Sequence, residues 1–173
     1  LNLPYFFAIS ENKDATLSSR LYDNEQILIQ TEYRQANYNS NHISDFSFKI
    51  DDNKKFKNHF FYRYNKKISS DNFNDNDFSL KIQTTSKDTY LKKNKIKSKL
   101  IDNENILENS AKLVLNKDDN STTIQTIMYE NLNENESDRY EYVIPKIDFK
   151  KRINKIDELN GNILFESQIM GNH

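Results

Sequence analysis

Apolar and polar residues alternate with a period of two along most of this 173-residue chain. That pattern restricts it to strands with one greasy and one wet face. In 26–36, Ile27, Ile29, Thr31 and Tyr33 alternate with Gln26, Gln30, Glu32 and Arg34. Phe46, Phe48 and Ile50 oppose Asp45, Ser47 and Lys49, and Phe56, Phe60, Tyr62 and Tyr64 oppose Lys57, His59 and Arg63, with Phe61 breaking the rule. Phe78, Leu80 and Ile82 alternate with Ser79, Lys81 and Gln83, and Ile163, Phe165 and Ile169 with Asn162, Glu166 and Gln168. A helical period is almost absent. Polar breaks separate the strands at 11–14, 23–25, 37–41, 51–55, 66–77, 116–121, 131–139 and 157–161. Asn and Asp turn the chain there, because both tolerate a left-handed backbone and only two glycines are present. The expected fold is all-β, an antiparallel up-and-down meander of about eleven strands of up to about ten residues. The Lys-Asn-rich stretch 92–109 fits either a long strand extending out of the sheet or a frayed loop.

Composition has to be squared with this pattern. Hydrophobic residues make up 35% and the mean hydropathy is -0.92, low for a packed domain. Eleven Phe and ten Tyr, placed within the alternation, nevertheless argue against a solvated chain. The excess of Asn and Lys reads as a bias toward AT-rich codons laid over an ordinary fold. With 25 basic and 26 acidic residues interspersed, the net charge of -1 gives no basis for binding nucleic acid or an anionic surface. Without cysteine there is neither disulfide nor thiolate chemistry. No stretch approaches the roughly 20 apolar residues of a membrane helix, and none resembles a signal peptide. An exported protein would carry its signal upstream, so the chain, which starts at Leu1, is expected to be a fragment.

Two architectures satisfy half-apolar strands. A soluble β-sandwich joins the apolar faces in a core, whereas a transmembrane barrel turns them to lipid and lines its lumen with polar side chains. Tyr62 with Tyr64 and Tyr140 with Tyr142 suit an interfacial aromatic girdle and suit a core equally well.

Motifs for chemistry are sparse, and no enzymatic activity, metal or cofactor is expected. His42, His59 and His173 lie far apart without ligand spacing. Two glycines build no phosphate loop, dinucleotide fingerprint or nucleophile elbow. Asp118 with Asp119 and Glu134 with Glu136 read as solvated turn charges. The basic run Lys92-Lys93-Asn94-Lys95-Ile96-Lys97-Ser98-Lys99 reads either as a solvated face or as a contact for lipid phosphates or anionic sugars. Asn120-Ser121-Thr122 and Asn135-Glu136-Ser137 match glycosylation sequons, as chance provides in an Asn-rich chain.

Near the start, Leu3, Pro4, Tyr5, Phe6, Phe7, Ala8 and Ile9 form an apolar and aromatic strand holding one of two prolines. A proline removes a ladder donor, which places this strand at an edge or a seam. The segment Leu-Pro-Tyr-Phe-Phe-Ala-Ile-Ser-Glu-Asn-Lys-Asp-Ala-Thr-Leu-Ser-Ser-Arg-Leu-Tyr at 3–22 resembles the start of the transmembrane barrel in the LptD family. Those proteins, also called OstA or organic solvent tolerance proteins, assemble lipopolysaccharide in the outer membrane. The likeness continues through Glu32-Tyr33-Arg34, through Ser70-Asp71-Asn72-Phe73-Asn74-Asp75 and more loosely through Ile144-Pro145-Lys146-Ile147-Asp148-Phe149.

The resemblance implies the N-terminal part of a barrel in the outer membrane of a Gram-negative cell, with membrane lipid around it and lipopolysaccharide as cargo. It also implies a plug lipoprotein, LptE, in the lumen and periplasmic Lpt bridge proteins reached through an upstream domain. Cargo is expected to leave through a lateral seam at the strand Leu3 to Ile9, while Gln30, Glu32 and Arg34 line the lumen. Two family prolines are replaced here, by Ser19 in the second strand and by Glu11 in the turn, so the first hairpin keeps a donor the family lacks. A soluble β-rich binding module and a generic porin or receptor barrel are the alternatives. As a fragment, the chain is expected to form a curved sheet with two raw edges.

Overall fold

The computed structural model describes residues 2–22, 26–50, 55–70, 73–134, 137–153 and 162–172. Ten strands follow in chain order: β1 (Asn2–Ser10), β2 (Lys13–Leu21), β3 (Ile27–Ala36), β4 (Ser40–Ile50), β5 (Phe56–Ser70), β6 (Phe73–Thr85), β7 (Ile106–Lys117), β8 (Asn120–Asn131), β9 (Tyr140–Ile153) and β10 (Ile163–Asn172). One short helix, α1 (Tyr90–Lys93), lies between β6 and β7. Every strand pairs antiparallel with its sequence neighbours, giving a single up-and-down sheet in the order β1 to β10. It is not closed: β1 and β10 are its free edges.

The expected eleventh strand is absent among the described residues, because the stretch from Ser86 to Asn105 turns, forms α1 and lies back against the sheet. Breaks are also shorter than expected. Within the expected break at 66–77, Lys66 pairs with Phe78 and Ile68 with Asn76, since ladder hydrogen bonds are indifferent to side-chain polarity. Residues 23–25, 51–54, 71–72 and 157–161, where further turns were expected, lie outside the described residues.

Register sorts the side chains, because partners across a ladder share a face and sequence neighbours do not. One face carries the rows Tyr5–Leu17–Thr31–Phe46–Phe60 and Phe78–Leu113–Ile124–Ile147–Ile169. The other carries Pro4–Ser18–Gln30–Ser47–His59 and Ser79–Lys112–Gln125–Lys146. Among the described elements none packs over the apolar face: beyond neighbouring strands, the one substantial contact is α1 on β5. Leu3, Tyr5, Phe7, Phe56, Phe60, Phe165 and Ile169 are accordingly exposed. The faces therefore do not meet as in a sandwich.

β1 and β10 depart from the alternation. Phe6 and Leu164 stand on the otherwise polar face and are exposed there, so β1 is apolar on both sides and β10 mixes Leu164 and Met170 with Glu166 and Gln168 on that face. Near the far edge, β9 and β10 shift register at Ile144-Pro145 and Met170/Asn172. Gly171 sits at this shift, where a Cβ would stand 2.6 Å from the Ile144 carbonyl oxygen.

The buried core lies at one end of the sheet. Leu28, Phe61, Leu107 and Leu132 meet Tyr90, Leu91, Ile96 and Leu100 of the 86–105 segment. Phe61, which broke the alternation, is where that segment lands. Contacts from the segment reach Arg20 on β2 and Arg139 just before β9. A flat sheet would separate β2 from β9 by about 34 Å, at about 4.8 Å per strand, more than the short span 88–94 and two arginines bridge. The sheet is therefore bent, with its polar face concave.

Candidate functional site

The concave face and the segment it holds make up the candidate site. After α1, the Lys95 amide bonds the Lys92 carbonyl and the Ile96 amide bonds the Leu91 carbonyl, the paired bonds of a Schellman ending. Leu91 and Ile96, which such an ending brings together, are both buried. Lys95 takes the left-handed position, with φ 46°. From there the chain alternates again: Asn94, Ile96 and Leu100 are buried, and Lys95, Lys97 and Lys99 are exposed.

The sheet grips this stretch by its backbone. Arg20 donates to the carbonyls of Asn94 (2.8 Å) and Lys95 (2.9 Å), Gln30 Nε2 to that of Lys97 (2.9 Å), and Gln83 Nε2 to that of Leu100. Gln30 also donates to Asp45, 3.0 Å from each carboxylate oxygen. These donors satisfy carbonyls that a non-helical, partly buried segment leaves without partners.

Under α1 lies a buried polar cluster. Ser47 Oγ is 2.6 Å from His59 Nδ1 and 2.9 Å from the Tyr90 hydroxyl, and His59 Nε2 lies 3.2 Å from Asp45 Oδ1 in an off-line geometry. Serine, histidine and aspartate in contact have the composition of a hydrolytic relay. Here His59 and Ser47 are fully buried, Asp45 is 1% exposed, and Tyr90 closes over the serine, so no substrate reaches the hydroxyl. The cluster seats Tyr90, whose hydroxyl burial holds in its neutral form.

Ion pairs hold the two ends of the segment. Arg139 binds Asp88 through both guanidinium nitrogens (3.1 and 2.7 Å) and also binds Glu130. The hydrogen bond from Arg139 holds the Asp88 carboxyl below its ordinary range. Lys81 bridges Asp102 and Glu108, and its hydrogen bond likewise lowers Asp102.

The residues expected to line a lumen share the concave face. Arg34 pairs with Asp14 at 2.7 Å, Glu32 lies between Arg34 (3.6 Å) and Lys99 (3.5 Å), and Gln30 is covered by the segment. Leu3 to Ile9 form the free edge, with Pro4 opposite Ser18 and Ser19 opposite Leu3. Arg20, Gln83 and Asn94 were not singled out from sequence; the apolar residues Leu28 and Phe61 at polar-face positions were the available signal. Histidines are dispersed: His42 Nδ1 meets the Tyr62 hydroxyl at 2.8 Å on the apolar face, and His173 lies outside the described residues. Among the described residues no group of side chains is arranged to hold a metal, and no helix is long and apolar enough to cross a membrane.

Among the cavities that open on the concave side, two lie over β1 to β7. One, of about 440 Å³ at the opposite end, is lined by Asn41, Asn65, Lys67, Ser79 and Lys112 among others. The second, of about 210 Å³ beneath β1 to β3, is lined by Asn2, Thr16, Ser18, Arg20, Gln30, Glu32 and Lys97. Comparison with known proteins finds no family model and no curated protein that matches this chain.

Proposed function

We propose that this sheet is part of the wall of a transmembrane β-barrel of outer-membrane type. We further propose that the barrel carries lipopolysaccharide to the outer leaflet through an opening beside β1, as the likeness to the LptD family implies. The observation that carries the first half is the bare apolar face of a single layer whose polar face is concave. Leaving side chains such as Leu3, Phe7, Phe60 and Ile169 in water forfeits about 1.5–3 kcal/mol each, which hydrocarbon recovers. Strands of 9 to 15 residues meet the roughly 9–11 needed to cross at a tilt.

Support for the second half is local to β1. This strand is exposed along its whole length, contains Pro4, and is greasy on both faces, as a path for acyl chains beside a wet interior would be. Polar cargo would follow the face of Arg34, Arg63, Lys81 and Lys112. No bond is made or broken, and a plug lipoprotein and a periplasmic bridge would be the partners. Photo-crosslinkers at Tyr5 or Phe7 in the intact protein in cells are expected to capture lipopolysaccharide, and one at Phe46 is not. Equal or absent capture at the three positions overturns the transport reading.

A further inference from the structure

Lys93, Lys95 and Lys97 are exposed, and none of their ammonium groups has an ion-pair or hydrogen-bond partner among the described residues. Lysines in a solvated loop are ordinary. These are not in a free loop: the clamp of Arg20, Gln30 and Gln83 on the backbone carbonyls of 94–100 fixes the stretch onto the concave face. Lys95 occupies a left-handed position that glycine fills more readily, so a cation stands where the backbone favours no side chain. Lys97 then reaches the cavity of about 210 Å³ beneath β1 to β3, whose lining also holds Thr16, Ser18 and Arg20. The single carboxylate lining it, Glu32, is engaged by Arg34 and Lys99, and the Arg20 guanidinium donates to the Asn94 and Lys95 carbonyls and to Gln30 Oε1, so the lining cation without a partner among the described residues is Lys97.

We propose that Lys97, with Arg20, Thr16 and Ser18 in the same cavity lining and the exposed Lys95 two residues before it in the chain, forms a binding site for a phosphate monoester carried on a polar headgroup. The cavity lining thus supplies an ammonium, a guanidinium and two hydroxyls, the groups an oxyanion requires. The volume is several times the roughly 30 Å³ share of one water, so a hexose phosphate fits as well as bare phosphate. The inference deepens the transport reading and rests on it only for the direction from which a ligand arrives. The site itself is present whether the apolar face meets lipid or another surface.

The test titrates the full chain, in the medium that keeps it folded and monodisperse, with glucose 1-phosphate, inorganic phosphate and glucose, following amide shifts at Asn2, Thr16, Ser18 and Lys97. Saturable shifts with glucose 1-phosphate are expected, at least tenfold weaker in Lys95→Gln/Lys97→Gln and unchanged in Lys117→Gln, an exposed lysine at the end of β7. Equal affinity for inorganic phosphate assigns the site to the free anion instead of a headgroup and overturns the headgroup part of the proposal. Binding of glucose as tight as its phosphate, or binding that survives the double substitution with the fold intact, overturns the whole. If the fold is lost in that variant, Lys97→Arg, which keeps the charge, must retain binding in the intact chain. Failure of lipopolysaccharide capture at Tyr5 leaves these shifts unaffected, so the two readings fail separately.

Discussion

Lys95 sits at φ 46°, a conformation that costs a residue with a Cβ about 1–2 kcal/mol relative to the right-handed regions. Lys95→Gly is therefore expected to raise stability by about 1 kcal/mol, read as a higher urea midpoint with an unchanged slope. Ser47 is the opposite case, since its hydroxyl joins His59 to Tyr90 in a dry pocket. Ser47→Ala leaves two buried polar groups without a partner, and a loss of about 1–3 kcal/mol is expected in the same denaturation series. At Gly171 the added methyl meets the Ile144 carbonyl oxygen, which is backbone and has no rotamer to yield. Gly171→Ala should unlatch the end of β10, visible as faster amide exchange at Met170 and Asn172 with β3 to β6 unaffected. None of these three was legible in the sequence: each depends on a partner far along the chain or on one backbone angle, and alternation reports neither.

The element with the most distinctive behaviour is the 86–105 segment, clamped at one end by Arg139 on Asp88 and at the other by Lys81 on Asp102. Both carboxyls are held below their ordinary range in the folded chain. Their contribution is thus fully present above the unfolded value of about 3.9, and it drains away as pH falls through the lower folded values. Protection of the Leu91 and Ile96 amides should persist down to about pH 4 and fall below it. In Asp88→Asn that acid dependence should be reduced, with protection already lower at neutral pH. The strands themselves were readable because a period of two survives an unfavourable composition. The segment was not, because Lys95, Lys97 and Lys99 alternate with Ile96 and Leu100 over too short a run to separate a docked stretch from a strand or a loop.

For the molecule as a whole, the bare apolar face decides the solution behaviour. The chain is expected to aggregate in plain buffer and to gain strand circular dichroism and protease resistance with detergent or lipid vesicles. A folded, monodisperse monomer without either would favour the soluble binding module. Sidedness is a further prediction. Asn2 lies at the end of the sheet that carries most of the longer connections, 86–105 among them, whereas Tyr38, 106% exposed, tips a short turn at the opposite end. A periplasmic domain ahead of β1 would put Tyr38 outside, against the usual habit of barrels to place longer loops there. Maleimide labelling of intact cells should reach Tyr38→Cys and not Asn133→Cys; the reverse pattern removes the upstream periplasmic domain from the proposal. Alternation is the same for a sandwich and a barrel wall and does not separate them; the structure adds that, among the described elements, none lies over Phe46, Phe60 and Ile124. The grip on the segment through its carbonyls has an evolutionary corollary. Because Arg20, Gln30 and Gln83 recognise main chain, outward side chains at 95, 97 and 99 are free to change sign or size while the seat is kept, so the charge presented to a traveller can be retuned without redesigning the fold.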